Sequence, residues 1–269
     1  MKRQERIKIA EETLNIFKEG FYTYQNSQIN VSLLHKNCME KVILLEENNN
    51  KMFMQPAYIY SHPALRQIKN QSVVDLIVHG QKVYGVLNFA SAYHPGGGFL
   101  HGSLAQEEAL CYGSNLYLTQ IQYKQDFYDY HRTIISKCYS DRMIYSPNVV
   151  FIRDEKYQLL SQPMQAHILT SPAVNMGAAL QRNEDERKCY DIMKKRMRKI
   201  LSIFVQTGNT HIILGAFGCG VFRNDPYKIA TFWRELLEEG WQYSFDEVIF
   251  AIYDTSPNQS IFQCFKNIL

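Results

Sequence analysis

The 269-residue sequence has no C-x-x-C pair and no His/Cys spacing of the metal-ligating kind, which argues against a zinc ribbon or a dithiol redox motif and leaves no metal or cofactor expected. Its six cysteines (Cys38, Cys111, Cys138, Cys189, Cys219, Cys264) are scattered, a pattern of reduced, mostly buried thiols in an intracellular protein. No stretch approaches the roughly 18 uninterrupted apolar residues that a membrane span needs. The N-terminal MKRQERIKIAEETLNIF carries charge throughout, without the apolar core of a signal peptide. A cytoplasmic protein without a membrane partner is expected, with signal-independent export left open. The formal charge is only +3, and no basic run is interleaved with aromatics, so no nucleic-acid surface is expected. There is no low-complexity linker and no internal repeat, so the reading is one domain over 1–269, with 1–80 an extension packed on a core at 81–269.

What is present is an alternation of strands and helices. Ile7, Ala10, Leu14 and Phe17 recur at three- and four-residue steps and predict an amphipathic helix over 4–19 ending at Gly20. Short strands are expected around 29–34 and 41–45, a polar turn at EENNNK (46–51), and a short helix over 73–79. VYGVLNFA (83–90) is nearly continuous in apolar residues, as in a strand covered on both faces. Segments at 149–153, 167–170, 211–214 and 248–253 repeat that pattern. Between them, Cys189, Met193, Met197, Ile200, Leu201 and Phe204 line one face of a helix whose KKRMRK back (194–199) reads as solvated. Ile229, Trp233 and Leu236 line another, opened by Asp225-Pro226 and closed by Gly240. The fold class is α/β, a mixed sheet layered with helices.

Two glycine-rich loops each follow a buried strand and precede a helix, where open α/β sheets bind ligands. The second, GAFGCGVFRNDP (215–226), offers backbone N–H groups as an anion nest suited to a phosphate or pyrophosphate. Its G-x-x-G-x-G order reverses the dinucleotide fingerprint, and no Lys-Ser/Thr follows as in a P-loop. A tight strand-to-helix turn is the plainer explanation. Phe217 and Phe222 weigh against it, because large apolar groups in such a loop call for something to pack on them. The first loop runs from Asn88, whose amide could bond a sugar hydroxyl, through Pro95 to Gly96, Gly97 and Gly98. S-L-A-Q (103–106) then reads as a capping box, placing Glu107 and Glu108 in a helix's first turn or just after it. Adjacent helical residues point about 100° apart, so these carboxylates do not flank one bond as an ordinary glycosidase pair does. One acts while the other positions. A solvated helix face is the competing explanation.

PGGG followed after seven residues by QEE, together with GAFGCGVFRNDP, VLNFASA and SPAVNMGAA, resembles the poly(ADP-ribose) glycohydrolase family in its microbial-type branch, on a macrodomain fold. The resemblance spans most of the chain and implies a mixed β-sheet sandwiched between helices, with an N-terminal extension. It implies that Glu108 is the catalytic acid/base and that Glu107, with Gln106 beside it, holds the ribose hydroxyls. Asn88 and Gly96–Gly98 would seat that ribose. Gly218, Cys219, Gly220 and Val221 would cradle the diphosphate, with Phe222 packing on the ribose. The implied substrate is poly(ADP-ribose) or a mono-ADP-ribosylated protein, arginine linkage included, and ADP-ribose is the product ligand. Where the branch commonly has a basic residue after QEE, this chain has Tyr112 or Gly113, and His94 precedes the glycines; both bear on substrate preference.

His94 and His101 could serve as bases but read better as exposed loop histidines. Cys219 could be a nucleophile if the loop lowered its pKa, but no partner base lies near it in sequence. Asp75 could bind an adenine amino group. A non-catalytic ADP-ribose reader and a nucleotide-dependent oxidoreductase are the alternative functions. The QEE triplet disfavours the reader, and the reversed glycine order disfavours the oxidoreductase.

Overall fold

A computed structural model describes residues 1–47 and 54–269. The chain opens with helix α1 (Arg3–Glu19), ended by Gly20 in the left-handed region at φ 85°. A hairpin follows, β1 (Phe21–Tyr24) and β2 (Ser27–Asn30), then α2 (Ser32–Met39), β3 (Ile43–Leu45), β4 (Leu65–Lys69) and α3 (Val73–His79). Next come β5 (Gly85–Phe89), a 3-10 turn at Phe99–His101, α4 (Gln106–Gly113), α5 (Leu116–Ile121) and α6 (Tyr130–Thr133). The remainder is β6 (Met143–Arg153), β7 (Leu159–Ser171), α7 (Met176–Gln181), α8 (Glu186–Gln206), β8 (His211–Gly215), α9 (Pro226–Glu238), β9 (Glu247–Ala251) and α10 (Ser260–Ile268).

Seven strands form one sheet in the order β3-β6-β7-β5-β8-β9-β4. β7, β5, β8, β9 and β4 run parallel, while β6 is antiparallel to both of its neighbours. Strand alternation splits the core into two layers. Val86, Ile168, Ile213 and Ile249 pack with residues of α1, α3 and α4. Leu87, Leu169, Leu214 and Phe250 pack with α7, α8, α9 and α10 on the other face. Helices therefore cover both sides, which is why these strands read as continuous apolar runs. Asp185 and Asp225 cap α8 and α9 through bonds from Lys188 N and Tyr227 N (3.1 and 2.9 Å). Among the described residues no helix is long and apolar enough to cross a membrane.

Several expectations need correction. The strand expected over 29–34 stops at Asn30, whose Oδ1 accepts from Ser32 N–H at 3.0 Å and turns the chain into α2. Residues 48–51 of the expected polar turn lie outside the described residues. The charged back of α8 is not uniformly solvated: Arg196 is fully buried, with Nε on Asp141 Oδ1 (2.9 Å) and Nη1 and Nη2 on the carbonyls of Pro172 and Cys138. Lys199 is buried as well, on the carbonyls of Glu46 and Asp141. Residues 1–80 supply both edge strands of the sheet, β3 and β4, along with α1, α2 and α3, which share one layer with α4.

Candidate active site

The parallel strands present their C-terminal ends to one side, and both glycine-rich loops leave from there. In the first, Gly97 has φ 59°, and a Cβ placed on it would lie 2.6 Å from Glu108 Oε1 and 3.1 Å from Glu107 Oε2. The carboxylates are thus stacked on bare backbone, and any side chain at 97 would displace them. Gly98 N–H donates to Glu108 Oε1 at 2.8 Å. Glycines and glutamates sit together in sequence because they touch in the fold.

Ser103 is not the helix cap. α4 starts at Gln106, after Ala105 in extended conformation with no side-chain cap bond. Gln106 instead reaches across to β5, accepting from Phe89 N–H (2.8 Å) and donating to the Leu87 carbonyl (2.7 Å). Those two bonds satisfy backbone groups of β5 and lock the start of α4 against it. Glu107 and Glu108 follow in the first turn, where the helix dipole favours negative charge.

The two carboxylates have different surroundings. Glu107 is 3% exposed; its Oε1 accepts from Gln120 Nε2 (2.8 Å) and Asn88 Nδ2 (3.2 Å), and its Oε2 from Ser91 N–H (2.7 Å). Burial pushes its pKa up to about 8, against the opposing pull of those three donors. Glu108 is 8% exposed and its hydrogen bond comes from Gly98. Asn88 is fully buried and spends its amide on Glu107 and Thr170 Oγ1 (3.2 Å each). It stands behind the wall as a support for Glu107.

The second loop is pinned from below. Gly218 has φ 74°, and a Cβ there would lie 2.5 Å from Asn224 Nδ2 and 2.6 Å from Ala173 Cβ. The buried Asn224 amide donates to the carbonyls of Val174 (2.8 Å) and Gly218 (3.1 Å). Among the described residues, the N–H groups of Gly218, Gly220, Val221 and Phe222 donate to no other group of the chain. Four such donors in one turn are available to an anion. Phe217 is fully buried against Phe89 (ring centroids 5.7 Å apart), so core packing accounts for it. Phe222 lines the cavity with Tyr139 beside it (6.1 Å), and Val221 is 86% exposed.

A cavity of about 670 Å³ lies between the loops, with Gly97, Gly98, Glu107 and Glu108 on one wall and Gly218, Gly220, Val221 and Phe222 on the other. Gln106, His94 and His101 also border it. A second space of about 810 Å³ adjoins it, sharing Phe89, Ala105, Gln106, Ala216 and Gly220, and reaches Asp75 on α3 and Tyr253 after β9. Of the expected site residues, Asn88 and Gly96 lie off both walls, and Cys219 faces the second space only. Burial raises the Cys219 thiol, contrary to the lowering that a nucleophile would need. Tyr112 is fully buried, its hydroxyl on the carbonyls of Phe99 and Ser103, so it supports the loop and does not meet a substrate.

Sequence reading missed Gln120 and Thr170, which no motif marks, and Ser91, which lies within VLNFASA but acts through its backbone N–H. It also missed two groupings with ion-binding donor sets: Cys138, Glu184 and Cys189, and Asp75, His79 and Glu155. In the first, both Glu184 oxygens already accept bonds, from Ser136 Oγ (2.6 Å) and Lys137 N–H (2.7 Å).

The family described as microbial-type PARG, catalytic domain, matches residues 10–154. No curated protein matches the sequence. Among solved structures, the chain is similar to poly(ADP-ribose) glycohydrolase from Thermomonospora curvata, with 30% identity, TM-score 0.93, and 99% of this chain and 100% of that one covered. The same enzyme bound to the inhibitor ADP-HPD has 30% identity with the same coverage and a TM-score of 0.89. The Deinococcus radiodurans enzyme in complex with ADP-ribose has 33% identity and TM-score 0.82, covering 90% of this chain and 98% of that one.

Proposed function

Since the chain belongs to the microbial-type poly(ADP-ribose) glycohydrolase family, and so is a glycosidase-type hydrolase of poly(ADP-ribose), we propose that it cleaves the bond at C1″ with Glu108 as general acid and base. One observation carries the assignment: the Glu108 carboxylate rests on the bare Gly97–Gly98 backbone in a cavity whose opposite wall is the anion nest.

In this reading the terminal ADP-ribose unit lies along the two joined cavities. Its diphosphate takes the N–H groups of Gly218, Gly220, Val221 and Phe222. Its adenosine enters the second space, where Asp75 accepts from the adenine amino group. The distal ribose sits against Gly97 and Gly98, with Phe222 on its face. Glu108 protonates the leaving oxygen as the C1″–O bond breaks and an oxocarbenium-like centre develops. The resulting carboxylate then takes a proton from water as that water adds to C1″. The substrate's own diphosphate offsets part of the developing positive charge. Glu107, held on its outer sides by Gln120, Asn88 and Ser91, binds the ribose hydroxyls and fixes the sugar relative to its neighbour.

The leaving group is the ribose hydroxyl of a polymer, and single ADP-ribose units on protein side chains, arginine among them, are the second substrate class to assay. The test incubates wild type and Glu108→Gln with poly(ADP-ribose) and with targets carrying single units on arginine, glutamate or serine. Release by wild type, its loss in Glu108→Gln and retained ADP-ribose binding are expected. Binding without release on every substrate would make the protein a reader and refute the assignment.

A further inference from the structure

We propose that α1 is a clamp on the catalytic loop, with Arg3 and Arg6 as positioning residues for Glu108; this rests on the Glu108 assignment above. Arg6 Nε donates to the Gly102 carbonyl at 2.8 Å, and Arg3 Nε to the His101 carbonyl at 2.7 Å. These partners lie 96 and 98 residues away in sequence. The contact is close: Gly102 has φ 72°, and a Cβ there would lie 2.6 Å from the Arg3 carbonyl and 3.1 Å from Ile7 Cγ1. Helix and loop therefore meet backbone to backbone.

The clamped residues connect directly to the acid. His101 N–H and Ser103 N–H both donate to the Gly98 carbonyl (2.9 and 3.1 Å). The N–H of the same Gly98 is the donor to Glu108. The other part of α1 grips the helix that carries Glu108: Thr13 Oγ1 donates to the Tyr112 carbonyl at 3.0 Å, and Arg153 Nε donates in turn to Thr13 Oγ1 at 3.1 Å. The Tyr112 hydroxyl closes the circuit on the Ser103 carbonyl at 2.8 Å. One rigid helix thus holds both the glycine loop and α4, the two parts whose relative placement sets the carboxylate. A loop with three consecutive glycines has many conformations to lose, and guanidinium groups on its carbonyls remove that freedom before substrate arrives.

Arg6 also borders the second cavity, so the test must separate positioning from ligand contact. Steady-state hydrolysis of poly(ADP-ribose), ADP-ribose affinity by calorimetry and thermal midpoints are measured for Arg6→Ala, Arg6→Lys, Arg3→Ala, the Arg3→Ala/Arg6→Ala double variant, Glu108→Gln and the control Lys8→Ala, an exposed residue of the same helix. The clamp predicts a kcat loss of about tenfold for Arg6→Ala and up to ~100-fold for the double variant, the scale of a misplaced catalytic group. KM and ADP-ribose affinity stay within about threefold, Arg6→Lys recovers part of kcat, and Lys8→Ala is unchanged, since a Lys restores one donor and position 8 touches no loop carbonyl. If the double variant does not fold, the single variants carry the same comparison. Unchanged kcat in folded Arg6→Ala and Arg3→Ala overturns the clamp, as does a rise in KM alone, which would make Arg6 a ligand contact. Full activity in Glu108→Gln would instead overturn the assignment of the acid, whatever the arginine variants show.

Discussion

Gly97→Ala tests the central claim that carboxylates and glycine backbone interlock. Two separate costs follow from the geometry. The backbone stands at φ 59°, where an L-residue with a Cβ costs about 1–2 kcal/mol. The new methyl would also stand 2.6 Å from Glu108 Oε1, where ordinary contact begins at 3.4 Å, so that oxygen must retreat by the difference, about 0.8 Å, losing its 2.8 Å bond to Gly98. A displacement near 1 Å at a reacting group costs on the order of 100-fold in rate. Gly208→Ala separates the two costs: its φ is 73°, yet nothing lies within 4 Å of its Cβ position. Both variants should lose a few degrees of thermal midpoint, about 2–4 °C per kcal/mol for a chain near this size. Only Gly97→Ala should lose kcat on poly(ADP-ribose), by ~100-fold. A folded Gly97→Ala enzyme within threefold of wild type, or equal losses in both variants, would refute the reasoning.

Three further outcomes follow from the same contacts. Glu107 is raised from 4.5 to about 8 by burial, so the folded protein holds a proton that the unfolded chain releases; this contribution to stability is complete below about pH 4.5 and is lost as pH rises toward 8. Thermal midpoints across that window should therefore fall less steeply for Glu107→Gln than for wild type, and parallel curves would count against a protonated Glu107. Arg196→Ala leaves the Asp141 carboxylate and two carbonyls without their buried partner and should destabilise by roughly 3–5 kcal/mol in denaturant titrations; a loss below 1 kcal/mol would contradict a structural role. Gly218→Ala forces its methyl against Asn224 and Ala173 and should weaken ADP-ribose binding about 10- to 100-fold by distorting the nest, an effect that calorimetry would miss only if the diphosphate lies elsewhere.

The architecture was readable where one element carries its own signal. β5, β8 and β9 are covered on both faces, so apolar runs at 83–90, 211–214 and 248–253 mark them without knowledge of their neighbours. α9 announces itself by capping, through Asp225 ahead of Pro226. β4 was missed because LRQIK is an edge strand, paired on one side only, with no residue in the fully buried class. Val31, Leu33 and Leu34 suggested a continuing strand, but the Asn30 side chain ends it locally by satisfying the backbone that a ladder would otherwise use. Arg196 and Lys199 looked like solvent-facing charge because periodicity reports which face is apolar, and their carbonyl partners lie 24 to 153 residues away.

The site divides along the same line. Glu107, Glu108, the glycines and the nest lie in two contiguous motifs, because a loop must leave the end of a strand and enter a helix within a few residues. The partners that give each carboxylate its own surroundings were not legible. Two adjacent glutamates are chemically identical in sequence, and they become different acids only when Asn88, Gln120 and Ser91 converge on one and Gly98 on the other. Asn88 shows what local reading leaves out: its place at the end of β5 suggested a sugar contact, and the fold adds bonds from its Nδ2 to Glu107 and Thr170 that no local pattern marks. The capping box failed for a related reason. Gln106 has a stronger alternative in the free backbone groups of Leu87 and Phe89, and satisfying two backbone groups of β5 outweighs one cap at a helix start. A residue pattern thus locates the two carboxylates, while their different surroundings are set by partners brought from 10 to 19 residues along the chain.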